Sequence, residues 1–394
     1  MNILEILNRR ESLFRGDLLK YEQELNDIVA NSKFLVVGGG GSIGQAVSKE
    51  LFNRRAKTLH IVDLNENYLV EFVRDVRSSD LDAPEDFDVF AIDCGAEYFR
   101  DFMAQGQYDF VLNLSAMKHV RSENSGFSML RMLETNILNS VYIHELCDEI
   151  GVQKYFAVST DKAANPVNFM GATKRAMEMC LMANAYVTPV SGARFANVAF
   201  SNGSLLEGFT RRIEKRQPIS VPSDVSRYFI TDTEAGIICL FSSLLGKNNE
   251  IYFPKNMAEI QLTDFVTIAT NFLASRGVEL VACHSEEEAK HQLRKLDLEK
   301  YWPVNIFVSD TAGEKSFEEF YVKNEKLIEK EFFDLGAIKC DSQTTSEEIL
   351  KLINNIKTID PGSRNLRSSL LGIMKEFVPT FKHSDGNKFL NERM

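Results

Sequence analysis

The stretch VVGGGGSIGQAVSKEL, residues 36–51, decides the fold. Two valines end a short apolar run that begins at Lys33, and four glycines follow at once. A helix-like pattern lies directly behind them. Gly38, Gly41 and Gly44 stand at GxxGxxG spacing. At a strand-to-helix turn, glycine lets the chain reverse tightly and lets a diphosphate approach with no Cβ in the way. The N–H groups of the helix that opens near Ser42 and Ile43, and the positive end of its dipole, then face the phosphates. Asp63 ends the next apolar run. A carboxylate there accepts hydrogen bonds from the adenosine-ribose hydroxyls and repels a 2′-phosphate, which points to NAD over NADP. Asp93 ends a third run, where it either meets the adenine amino group or caps its own loop.

Working outward, TLHIVDL (58–64), DVFAID (88–93), DFVLNLS (109–115) and KYFAVST (154–160) are short apolar runs, with helical patterns between most of them. Such alternation means βαβ units and a parallel sheet covered on both faces. The expected fold class is α/β: a Rossmann-type doubly wound parallel sheet with a smaller α/β substrate-binding lobe. Residues 1–32 read as a helical extension, with Leu18, Tyr21, Leu25, Ile28 and Val29 at helical spacing. Residues 33–200 read as the dinucleotide-binding domain, with GARFANVAFSNG (192–203) as a further strand and a return strand near 250–256. Residues 201–335 form the substrate lobe, and 303–333 read as loop-rich, then partly helical. Residues 336–394 read as a helical C-terminal extension, in which Thr345 and Glu348 make a capping-box pattern. From about Lys382 the chain is polar and reads as disordered.

Composition narrows the function. Of 394 residues, 44% are hydrophobic and 26% charged, as in an ordinary globular protein. A net charge of −11 argues against a general nucleic-acid binder but leaves room for a small anionic ligand held by local basic groups. The six cysteines are far apart and include no CxxC, so they read as reduced thiols of a cytoplasmic protein. No metal ligand set is expected, and His119 has no second histidine or cysteine at ligand spacing. There is no signal-peptide pattern and no apolar run long enough to span a membrane.

The chemistry gathers in STDKAANPVNFMGATKRAME, residues 159–178. Together with GGGGSIG, SAMKHV (115–120), TN (135–136), RFANV (194–198), SRYF (226–229) and GEKSFEEF (313–320), this segment resembles the extended short-chain dehydrogenase/reductases. The resemblance covers roughly residues 33–320. It is closest to the nucleotide-sugar 4,6-dehydratases that act on UDP-N-acetylglucosamine. That family normally carries YxxxK. Here Met170 stands four residues before Lys174, in place of the tyrosine, as in the branch that includes the bacillosamine-pathway dehydratases. A thioether is no acid or base.

The resemblance implies tightly bound NAD, oxidation at carbon 4 of the sugar, loss of water across carbons 5 and 6, and return of the hydride to carbon 6. Thr160 would relay the 4-hydroxyl proton, Asp161 would serve the departing 6-hydroxyl, and Lys162 would take the carbon 5 proton. Lys174 would hold the nicotinamide ribose. Lys118 and His119 face either the diphosphate or the nicotinamide pocket, or line a solvated loop. By resemblance Asn197, Arg227 and Glu314 hold the UDP part, with Ser204 at the sugar or phosphate or as a turn-maker. The helices near 129–149 and 171–185 commonly form the dimer interface in this family, so a homo-oligomer is expected. A UDP-sugar 4-epimerase and a non-catalytic NAD- or UDP-sugar-binding regulator are the alternatives.

Overall fold

The computed structural model describes residues 2–80, 83–183, 185–255, 262–309, 319–341 and 343–383. The apolar runs become strands β1 (Lys33–Val37), β2 (Thr58–Asp63), β3 (Asp86–Ala91), β4 (Phe110–Asn113), β5 (Lys154–Thr160) and β6 (Val190–Phe195). All six are parallel, in the spatial order β3-β2-β1-β4-β5-β6. The order reverses between β1 and β4, and the crevice beyond the carboxyl ends there is where doubly wound sheets bind ligands. Strand Glu250–Pro254 continues the parallel sheet beside β6. Strands Leu335–Lys339 and Lys326–Ile328 close that side antiparallel. At the opposite edge, β3 presents Asp86 and Asp88 to solvent.

The middle strands are buried along their length, as runs sandwiched between helices must be. The glycine-loop helix Ser42–Asn53 packs with Asp232–Leu244 on one face. Helices Asn139–Ile150 and Phe169–Leu181 cover β5 from the other. A separate apolar cluster, including Phe209, Phe272, Trp302 and Val304, forms the core of a smaller lobe. That lobe carries a parallel three-stranded sheet of Glu279–Cys283, Tyr301–Phe307 and Ile219–Pro222.

The N-terminal extension ties the two cores together. Ile6 and Leu7 lie in the small core, while Leu25 and Val29 of helix Arg15–Asn31 lie in the large one. Arg9 pairs with buried Glu234, and buried Asp17 accepts the N–H groups of Phe333 and Asp334, each at 2.7 Å.

Several segments differ from expectation. Residues 336–339 belong to a sheet strand, because Ile338 and Ala337 are buried against Ile251 and Tyr252. Helix begins only at the predicted capping box, which forms between the N-cap Thr345 and Glu348 of helix Ser346–Lys357. The stretch 303–333 holds two strand segments and, among the described residues, no helix. The helical stretch 126–150 is interrupted by a π-turn at Glu134–Leu138. Lys382 and His383, expected to be disordered, are docked on the body.

The face expected to receive a second subunit is partly covered by the chain itself. Helix Leu366–Phe377 packs on Gly126–Leu133 and Phe169–Leu181, burying Leu366, Leu370 and Met374 at successive helical turns. Removing one of these anchors leaves a cavity. Leu370→Ala should destabilise the chain by about 2–5 kcal/mol, seen as a lower urea midpoint.

Candidate active site

The glycine loop meets its neighbours where the sequence predicts. Gly38 has φ +76°, and a Cβ there would lie 2.5 Å from the Ser115 nitrogen. A Cβ on Gly44 would lie 2.3 Å from the Gly38 oxygen. Only glycine permits both the turn and this helix-to-loop approach. Gly41 is the N-cap of helix Ser42–Asn53, and no side chain caps that terminus. Asp63 accepts the N–H of Gly40 at 2.9 Å and that of Asn65 at 2.8 Å, one on each oxygen. The carboxylate is thereby fixed with lone pairs left for ribose hydroxyls.

A cavity of about 310 Å³ opens here, bounded by Gly38, Gly41, Asp63, Asp93 and Ser115 among others. Its far wall holds residues to which the sequence reading gave no role: Tyr68, Arg131, Thr135 and Asn139. Asp93 accepts the Gly95 N–H at 2.9 Å and lies 3.8 Å from Arg131, so it caps its loop while lining the cavity. Shape, backbone donors and the placed carboxylate fit the adenosine diphosphate half of NAD.

Thr160, Asp161 and Lys162 converge at the carboxyl end of β5. The Thr160 hydroxyl donates to Asp161 Oδ1 at 2.8 Å, and Lys162 Nζ donates to the same oxygen at 3.1 Å. Three proton-carrying groups therefore meet on one oxygen. The Asp161 side chain is 5% exposed and that of Lys162 18%.

Lys174 reaches the same strand end, donating from Nζ to the Val158 carbonyl at 3.0 Å. Burial pulls its pKa down to about 8, against a partial opposing pull from Glu178. Met170 is buried on the first turn of the same helix. That helix is anchored from below. Glu178 accepts two bonds from fully buried Arg194 of β6, at 2.9 and 2.7 Å, and one from Ser159 at 2.6 Å. Burial alone would raise the Glu178 pKa, but the Arg194 charge overrides it and lowers the value.

The predicted substrate residues fall into two groups on different elements. The His119 ring packs on Gly203, whose φ is +73°. Ser204 caps helix Leu205–Glu214 through the Glu207 N–H, so its turn-making role is the one seen. Lys118 and His119 stay solvent-accessible in this crowded wall. Desolvation lowers the pKa of each, opposed at Lys118 by Glu207 and reinforced at His119 by Lys118 and Arg121. The Asn202 N–H donates to Ser42 Oγ at 2.8 Å, latching this wall to the glycine loop.

The second group is Asn197 and Arg227. Asn197 pairs in register with Phe229, two residues beyond buried Arg227. The Asn197 amide nitrogen is buried with no hydrogen-bond partner among the described residues, as a donor kept for a ligand would be. Glu314 lies outside the described residues.

Sequence reading also gave no role to Glu123 and Asn136. Asn136, fully buried in the π-turn, bonds both backbone groups of Met117 and the Thr173 hydroxyl. It thus holds the 115–120 loop against the Lys174 helix. The quoted TN motif was its only signal.

The sheet order, the glycine loop and the strand-end cluster define an extended short-chain dehydrogenase/reductase. The chain belongs to the family described as polysaccharide biosynthesis protein, whose model matches residues 34–338. It is 29% identical over 327 residues to an uncharacterized membrane protein of Methanocaldococcus jannaschii, covering 80% of this chain and 86% of that one. It is 26% identical over 343 residues to UDP-N-acetylglucosamine 4,6-dehydratase (inverting) of Campylobacter jejuni, covering 82% and 97%. The chain spans about half the length of polysaccharide biosynthesis relatives from Bacillus subtilis (48%) and Staphylococcus aureus (52%). Among solved structures, Pen from Bacillus thuringiensis superposes with a TM-score of 0.62 at 20% identity, covering 81% of this chain and 90% of that one. Among the described residues, no helix is long and apolar enough to cross a membrane.

Two outcomes follow from the geometry. Gly44→Ala should abolish NAD binding measured by calorimetry while the fold persists. Lys174 should leave a pH signature in stability. Between pH 8 and 10.5 the unfolded chain binds a proton that the folded chain does not, so this group's contribution rises with pH across that window. Lys174→Met should flatten the melting temperature against pH there.

Proposed function

We propose that the chain binds NAD and catalyses 4,6-dehydration of UDP-N-acetylglucosamine, yielding a 4-keto-6-deoxy-hexosamine nucleotide for polysaccharide synthesis. The observation that carries this reading is the Thr160, Asp161 and Lys162 cluster on one oxygen at the end of β5, with Lys174 reaching the same strand end. Likeness to the Campylobacter dehydratase over most of both chains supports it.

Bound NAD would take a hydride from carbon 4 and give it back at carbon 6, ending unchanged. Thr160 binds the 4-hydroxyl and passes its proton toward Asp161. Lys162 removes the proton on carbon 5, which the neighbouring ketone makes acidic, and a proton returns to carbon 5 as the hydride is delivered to carbon 6. Asp161 delivers a proton to the departing 6-hydroxyl. Because Asp161 and Lys162 share one contact, their protonation changes together. Lys174 holds the nicotinamide ribose, and Met170 packs beside it without carrying a proton. Asn197 and Arg227 hold the diphosphate, with Glu314 on the uridine ribose. Lys118, His119 and Ser204 form the opposite wall. A homo-oligomer would have to use surface left open by helix Leu366–Phe377.

A second reading, 4-epimerisation, draws on likeness to UDP-glucose 4-epimerases, such as that of Rickettsia bellii at 24% identity over 318 residues. Epimerisation has no leaving hydroxyl, so it gives the buried Asp161–Lys162 pair no task. Mass spectrometry separates the two. Incubated with UDP-N-acetylglucosamine and no added cofactor, the purified chain should yield a product lighter by one water; an isomer of unchanged mass means epimerisation. Lys162→Ala should lower kcat by about 10²–10⁴-fold with NAD retained. Met170→Ala should stay within about tenfold of the parent, as expected for a packing residue.

A further inference from the structure

We propose that Glu123 is a positioning residue for this reaction, and that the segment Val378–His383 locks it in place. The inference rests on the dehydratase reading for its chemistry, but the lock itself is geometric.

Glu123 lies in the short turn Val120–Asn124, just after Lys118 and His119, and its side chain is only 8% exposed. Its Oε1 accepts the backbone N–H of Met170 at 3.1 Å. Its Oε2 lies 3.5 Å from His383 Nε2, and the His383 side chain is 6% exposed. Its carbonyl oxygen accepts from Arg367 Nε at 3.2 Å. One residue before His383, the Lys382 N–H donates to the Pro166 carbonyl at 3.1 Å. Val378 and Phe381 bury the connecting segment. The terminal strap therefore touches two pieces of the catalytic face. One is the loop between Lys162 and the Lys174 helix; the other is the glutamate that meets the first turn of that helix.

The physics makes Glu123 directive. A buried carboxylate is costly unless its charge is met. Here one oxygen is met by the positive end of a helix and the other by an imidazole. Met170 offers only a thioether from its side chain, so its backbone is the part that can be held at this spot. Asn168 caps this helix by accepting the Gly171 N–H at 2.8 Å, and Glu123 adds a second hold on its first turn, so the two together place Lys174, one turn on, in the site. Glu123 reaches the reacting atoms only through that helix. Its loss should therefore alter turnover more than binding.

Three full-length variants and one shortened chain test this. Glu123→Gln keeps an acceptor for the Met170 N–H but removes the charge. It should lower kcat about tenfold or more with KM for UDP-N-acetylglucosamine unchanged. His383→Leu fills the space without a polar nitrogen and should do the same. His383→Gln keeps a polar nitrogen beside the Glu123 carboxylate and should hold kcat within about twofold of the parent. If Leu and Gln at 383 behave alike, His383 is only packing and the proposal falls. Hydrogen exchange gives a readout independent of substrate. Amides of residues 161–172 should exchange faster in Glu123→Gln and in a chain ending at Phe377. Unchanged exchange in both would overturn the lock whatever the substrate. Faster exchange in these variants, with a parent chain that leaves UDP-N-acetylglucosamine untouched, would overturn the dehydratase reading and leave the lock standing.

Discussion

The buried guanidinium of Arg194 is the interaction on which the site depends. It sits on β6 with no solvent exposure and is met on both sides by carboxylates, Glu178 of the Lys174 helix and Glu325 of the returning segment. Arg175 joins the same two carboxylates near the surface. Breaking such a buried set by deleting one partner costs about 3–5 kcal/mol, because the remaining charge is left unmet. The network also carries function. Ser159, the residue before Thr160, donates to Glu178, so the strand end holding the proton-carrying cluster and the helix holding Lys174 share one anchor. Their relative position is set by charge pairing beneath them.

Above that anchor, the site is assembled from loops that hold one another. The glycine loop receives the wall near Gly203 through Ser42 and Asn202. The 115–120 loop is held to the Lys174 helix by Asn136. From behind, the terminal strap reaches Glu123 and Pro166. The glycine loop, the strand-end cluster and the Lys118–His119 wall are thus mechanically continuous. Preorganisation of this kind is what proton transfer between closely spaced groups requires.

Much of this was legible in the sequence because it is local. A glycine loop between an apolar run and a helical pattern has one economical explanation, and Asp63 completes it within a single βαβ unit. Thr160, Asp161 and Lys162 are adjacent in the chain, so their meeting needed only a strand end. The capping box at Thr345 and Glu348 is likewise a short-range pattern. What escaped was long-range. Arg194 was visible inside RFANV, but nothing in the chain says that Glu178 and Glu325 converge on it. Glu123 and His383 are far apart in sequence, and a lone carboxylate in a polar turn looks solvated. Residues 336–339 were read with the helical tail because an antiparallel strand draws its partner from elsewhere in the chain. The cavity wall of Tyr68, Arg131 and Asn139 comes from separate helices, whose common surface only folding reveals.

The margins of the large sheet have a consequence for the molecule's behaviour in a crowded solution. On one side, Lys326–Ile328 is three residues long and can pair with little. On the other, β3 sets Asp86 and Asp88 outward along its length. Neither rim offers a long, uncharged ladder of unpaired amides to an incoming strand. Native copies are therefore poor templates for edge-to-edge aggregation through the large sheet.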